Sequence, residues 1–113
     1  MLYIMAADTG VLKRIKRAVT DSPQGEHVIV GSADNITSMV TDLNGRTLKP
    51  TVVVVYHSDN LGQEATNMVR KLAPEAHVVS YAKKGTYSWG NTNISMSARD
   101  PLGLIDEITK LQH

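Results

Sequence analysis

The sequence predicts a doubly wound α/β domain built on a parallel sheet, and three observations carry that expectation. Short continuous apolar runs alternate along the chain with segments whose apolar residues recur at helical spacing. The run Thr51-Val52-Val53-Val54-Val55-Tyr56 places valines side by side with no polar alternation, as in a central strand covered on both faces. The chain has 113 residues, enough for one hydrophobic core and too few for two.

Each element can be justified in order. Leu2-Tyr3-Ile4-Met5-Ala6-Ala7, bounded by Asp8-Thr9-Gly10, reads as a first strand buried on both faces. Val11, Leu12, Ile15 and Val19 then form an apolar stripe, with Asp8 or Thr9 as N-cap, and Ser22-Pro23-Gln24-Gly25 ends that helix. His27-Val28-Ile29-Val30 reads as a second strand stopping at Gly31. Ile36, Met39, Val40 and Leu43 make a second stripe, closed by Asn44-Gly45. After the valine run, a helix from about Gly62 to Leu72 carries Ala65, Met68, Val69 and Leu72 inward, and Pro74 closes it. Val78-Val79-Ser80-Tyr81 is a fourth strand and Ile94-Ser95-Met96 a fifth, while the polar stretch from Lys83 to Asn93 fits either a loop or a short helix. Leu104, Ile105, Ile108 and Leu111 form a last stripe, with Asp100 or Pro101 placed to start its helix. Such alternation implies right-handed crossovers, and for five strands the flavodoxin-like order 2-1-3-4-5 in a single domain. A site is then expected at the C-terminal ends of strands 1 and 3.

Composition narrows the function classes. Twelve Lys and Arg against eleven Asp and Glu give a net charge of +1, so nothing steers the whole molecule to nucleic acid or an anionic membrane. With 42% hydrophobic and 20% charged residues and a mean hydropathy of -0.18, the chain is expected to be a soluble globular protein. The lack of cysteine excludes disulfides, thiolate metal sites and thiol nucleophiles, and suits a cytoplasmic location. No segment approaches the roughly 18 apolar residues of a membrane span. Asp8-Thr9-Gly10 lacks the glycine spacing of either nucleotide-binding fingerprint.

Three local patterns carry a resemblance. Leu2 to Asp8 at the first strand, Lys49-Pro50-Thr51 ahead of the valine run, and Arg99-Asp100-Pro101 ahead of the last helix together resemble the CheY-type receiver domain of bacterial two-component signalling, over nearly the whole chain. In that family the first strand closes with an acidic pair that holds Mg²⁺, the third with a phosphoacceptor aspartate, the fourth with a hydroxyl residue and the fifth with a lysine. The matching positions here look like Ala6 and Ala7 with Asp8 one step further on, then Tyr56, then Ser80, Tyr81 or Ala82, then Ser97 or Ala98. A hard Mg²⁺ needs clustered carboxylate oxygens, and an acyl phosphate needs the carboxylate nucleophile itself. The resemblance therefore implies a degenerate receiver without catalytic residues, metal or cofactor. It implies action by protein contacts, as a homodimer or by regulating a C-terminal output domain in a longer chain, independently of phosphorylation.

Two surfaces are expected to make those contacts. One centres on Tyr81, Lys83, Lys84, Tyr87 and Trp89, where exposed aromatics would anchor an interface. The other is the basic stripe Lys13, Arg14, Lys16 and Arg17 on the first helix. Asp8 and Asp59 are read as helix caps in preference to a substitute metal pair, and His57 has no second histidine at ligand spacing. Two alternatives stay open: a small molecule held by Asp8, Thr9, Tyr56, His57 and Ser58 in the crevice between strands 1 and 3, or nucleic acid bound through the basic helix. An enzyme is not expected, because no nucleophile and base can be placed together.

Overall fold

The computed structural model describes residues 1–21, 29–45, 50–56, 61–82, 92–95, 105, 108 and 110. Their elements follow as β1 (Leu2–Ala6), α1 (Thr9–Asp21), β2 (Ile29–Ala33), α2 (Ile36–Gly45), β3 (Val52–Tyr56), α3 (Leu61–Leu72), β4 (His77–Ala82) and β5 (Thr92–Ser95). The strands form one sheet in the order β2-β1-β3-β4-β5, with every pair parallel, as the sequence predicts. Near the C-terminus Ile105, Ile108 and Lys110 are helical.

Period-two alternation divides the core into two layers. Leu2, Ile4, Ala6, Val52, Val54, Tyr56, Val79 and Tyr81 face α1, where Val11, Leu12, Ile15 and Val19 meet them together with Ile105 and Ile108. Tyr3, Met5, Val53, Val55 and Val78 face the other way, against Met39 and Leu43 of α2 and Ala65 and Val69 of α3. The residues Val52 to Val55 are fully buried, each worth about 1.5–3 kcal/mol of burial, which explains why an unbroken apolar run suits the centre of the sheet. Leu104 and Leu111 of the last stripe lie outside the described residues.

The helix ends are fixed by short polar side chains. Asp8 is the N-cap of α1: its Oδ1 accepts the Gly10 N–H at 2.8 Å and the Val11 N–H at 3.2 Å. A Cβ at Gly10 would stand 3.2 Å from that oxygen, so glycine leaves the cap its room. Asn35 does the same for α2, accepting the Ser38 N–H at 2.8 Å. The last helical bond of α3 runs from the Ala73 N–H to the Val69 carbonyl at 2.7 Å, and Pro74, which has no N–H, ends it. Tyr3 is buried in the sheet, yet its hydroxyl reaches the Asp42 carboxylate on α2 at 2.6 Å and ties that helix to β1.

Some boundaries differ from expectation. Among the described residues β2 begins at Ile29 and runs through Gly31 to Ala33, where a stop at Gly31 was expected; His27 and Val28 lie outside them. At the edge of the sheet the positions from Ile29 to Ser32 are half-buried, so glycine and serine cost little there. Leu2 pairs with Ile29 but Tyr3 with Gly31, which leaves Val30 as an extra residue in β2. β5 spans Thr92–Ser95, earlier than the expected Ile94–Met96, because pairing with Val79 to Ala82 sets its bounds and the apolar run does not. In α3 the buried Thr66, absent from the expected stripe, is satisfied by donating to the Gly62 carbonyl at 3.0 Å.

Candidate functional site

The central strands end together. β1 and β3 pair in register from Leu2↔Val52 to Ala6↔Tyr56, and the Ala7 N–H donates to the Tyr56 carbonyl at 3.1 Å. Ala6, Ala7, Asp8 and Tyr56 thus share one C-terminal edge, where a doubly wound sheet changes winding direction and opens a crevice. The β3–β4 register continues from Val55↔Ser80, which carries Tyr81 to the position opposite Tyr56.

What occupies that edge is aromatic. The Tyr56 ring is 8% exposed and lies against Tyr81, 1% exposed, with centroids 6.0 Å apart and planes at 59°. This tilted geometry is a favourable one for a ring pair and adds about 0.5–1.5 kcal/mol to burial. Both rings belong to the layer under α1. Tyr81, expected to anchor an interaction surface, is therefore a core residue; alternation along β4 turns it inward with Val79, and adjacency to Lys83 in the sequence does not reveal that. Ser80 is buried and alternates to the opposite face, while Ala82 closes β4.

A Mg²⁺ site of the kind the receiver resemblance implies needs several carboxylates at this edge. Among the described residues Asp8 brings one, with its Oδ1 engaged by the backbone of α1, and Asp34 follows the end of β2 with its Oδ1 accepting from Asn35 Nδ2 at 2.7 Å. No three His, Asp or Glu of the described residues cluster so as to hold a metal ion. The described residues therefore do not fit that ion.

The remaining candidates are placed as follows. Lys13, Arg14 and Arg17 are exposed and Lys16 is half-buried on α1, with Arg17 Nε 3.7 Å from Asp21 Oδ2. Thr9 is exposed at the start of the same helix. His57, Ser58, Asp59, Lys83, Lys84, Tyr87, Trp89, Ser97 and Ala98 lie outside the described residues. At the opposite, N-terminal edge of the sheet, Pro50, Thr51, Ala73, Pro74, Glu75 and Ala76 line a groove of about 300 Å³ that the sequence gives no sign of. It forms because the approach to β3 and the turn after α3 stand side by side, joined by the His77 N–H bond to the Thr51 carbonyl at 2.9 Å. No helix among the described residues is long and apolar enough to cross a membrane.

By sequence the chain matches no protein-family model and no curated protein. By structure it is similar to the CheY-like response regulator receiver domain of Methanospirillum hungatei JF-1, with a TM-score of 0.75 and 18% identity over 98% of this chain and 92% of that one. A chain of the CheX-CheY-BeF3-Mg²⁺ complex of Borrelia burgdorferi aligns with a TM-score of 0.81 at 11% identity, covering 99% of this chain and 88% of that one. A protein of Sinorhizobium meliloti 1021 described as the pilus assembly protein CpaE2 aligns at 0.73 and 11% identity over 97% of this chain and 98% of that one. At such identities the likeness speaks for the fold, and it agrees with the strand order, the register and the two helical layers: the chain has a doubly wound α/β fold similar to that of CheY-like receiver domains.

Proposed function

We propose that the chain is a receiver-like signalling module without the phosphoacceptor, working through protein contacts independently of phosphorylation, by dimerisation or by regulating an attached output domain. The observation that supports it is Tyr56. It ends β3 opposite Ala6, where the receiver resemblance calls for the phosphoacceptor aspartate, and its ring is packed against Tyr81. A phenol cannot form the acyl phosphate that a carboxylate forms, and a ring held in the core does not present its oxygen to a phosphoryl donor. Ala6 and Ala7 add no charge to hold the metal that would neutralise a phosphoryl group. The similarity to a chain described as a pilus assembly protein suits a use of this fold outside phosphorelay, and the receivers among its structural neighbours suit a role in signalling.

The test is exposure of the purified chain to acetyl phosphate and Mg²⁺, read by intact mass and sedimentation velocity. The expected outcome is an unchanged mass and an unchanged oligomeric state. Addition of one phosphoryl group at Asp8 or Asp59 overturns the reading.

A further inference from the structure

We propose that the solvent face of α1 is a docking surface for an acidic segment of a protein partner. Lys13 and Arg17 lie one helical turn apart on the side of α1 opposite the buried Val11, Leu12, Ile15 and Val19, with Arg14 exposed beside them and Lys16 half-buried at the edge of the buried stripe. Charge is concentrated there. Four of the twelve Lys and Arg fall between Lys13 and Arg17, and the other eight are outnumbered by eleven Asp and Glu elsewhere in the chain. Among the described residues this is the densest run of positive charge on a near-neutral molecule, and it attracts and orients an acidic partner without drawing in polyanions at large. The ion pair along the helix, Arg17 with Asp21, has side chains 86% and 69% exposed, so it is worth little and yields readily to a partner's carboxylate.

The shape of the patch selects the partner. Asp8 stands at the N-terminal end of α1 and Asp21 at its C-terminal end, about 20 Å apart at the rise of an α-helix. A phosphate backbone laid along the helix would run over both carboxylates. A short acidic segment with carboxylates one helical turn apart fits between them. The helix also carries no aromatic side chain on which a base could stack, and a handful of phosphate contacts gives only weak, non-specific binding. The buried stripe packs α1 onto the sheet, and Lys13 and Arg17 stand on the far side of the helix from it.

The proposal rests on reading the chain as an interaction module, but its test uses neither Mg²⁺ nor a phosphate mimic, so the two fail separately. The probe is a labelled helical peptide with glutamates at i and i+4, compared with its all-glutamine counterpart and with an oligothymidylate of equal charge, by anisotropy at low salt and by backbone amide NMR. The acidic peptide is expected to bind saturably with shifts confined to α1, the glutamine peptide not to bind, and Lys13→Glu/Arg17→Glu to weaken binding by roughly tenfold or more. Lys13→Gln/Lys16→Gln, which introduces no repulsion, is expected to weaken it by a smaller factor with amide shifts outside α1 unchanged. Absence of saturation, binding indifferent to either variant, or tighter binding of the oligothymidylate overturns the proposal.

Discussion

At the scale of single residues, the account turns on what each polar group at the C-terminal edge already does. Asp8 Oδ1 takes two backbone N–H groups of the first turn of α1. If that is its work, the oxygen matters and the charge is secondary, because asparagine is as good an N-cap as aspartate. Asp8→Ala is expected to cost about 1 kcal/mol, and Asp8→Asn to retain most of the stability, read as the urea midpoint at constant m. Equal loss in both variants would mean that the negative charge is used elsewhere at this edge. Tyr56 illustrates the limit of reading residues singly. Its chemistry is plain from the sequence, but its packing on Tyr81 depends on two strands separated by a helix and meeting in register.

At the scale of elements, much of the fold is legible because burial and periodicity coincide. The valine run becomes β3, fully buried, and the stripe Val11, Leu12, Ile15 and Val19 becomes the inner face of α1. The two faces of α1 then make opposite predictions. Ile15→Ala is expected to cost about 2–5 kcal/mol, since Ile15 is fully buried and its loss opens a cavity. Lys13→Gln is expected to change stability by less than about 0.5 kcal/mol, as for an exposed surface site. Chemical denaturation of the two variants checks both, and comparable losses would mean that the cationic face is packed. Legibility fails at the sheet edges. β2 continues through Gly31 and carries Val30 as an extra residue, and β5 begins at Thr92, because an edge strand is defined by its one neighbour more than by its own hydrophobicity. The same blindness hides the inward turn of Tyr81, whose direction is decided by strand register.

At the scale of the whole molecule, the winding order places the ends of β1 and β3 side by side, and this position is where the sheet architecture invites a ligand. The fold is similar to that of receivers, and the edge holds Ala6, Ala7, Asp8 and a buried tyrosine pair, which on the proposed reading stand where the family has its charged site. The residue types at three strand ends are readable from the sequence, and the packing of Tyr56 on Tyr81 is not. The groove between Pro50 and Ala76 lies at the far edge and was invisible in the sequence, because it arises from two turns brought together by β3–β4 pairing. The central claim, that this edge does not respond to phosphate, is tested most directly by titrating the chain with Mg²⁺ and beryllofluoride, a stable mimic of the aspartyl phosphate, while following backbone amides. The account predicts that the resonances of Ala7, Tyr56 and Ser80 stay in place throughout; saturable shifts of these amides at millimolar Mg²⁺ or below would contradict it.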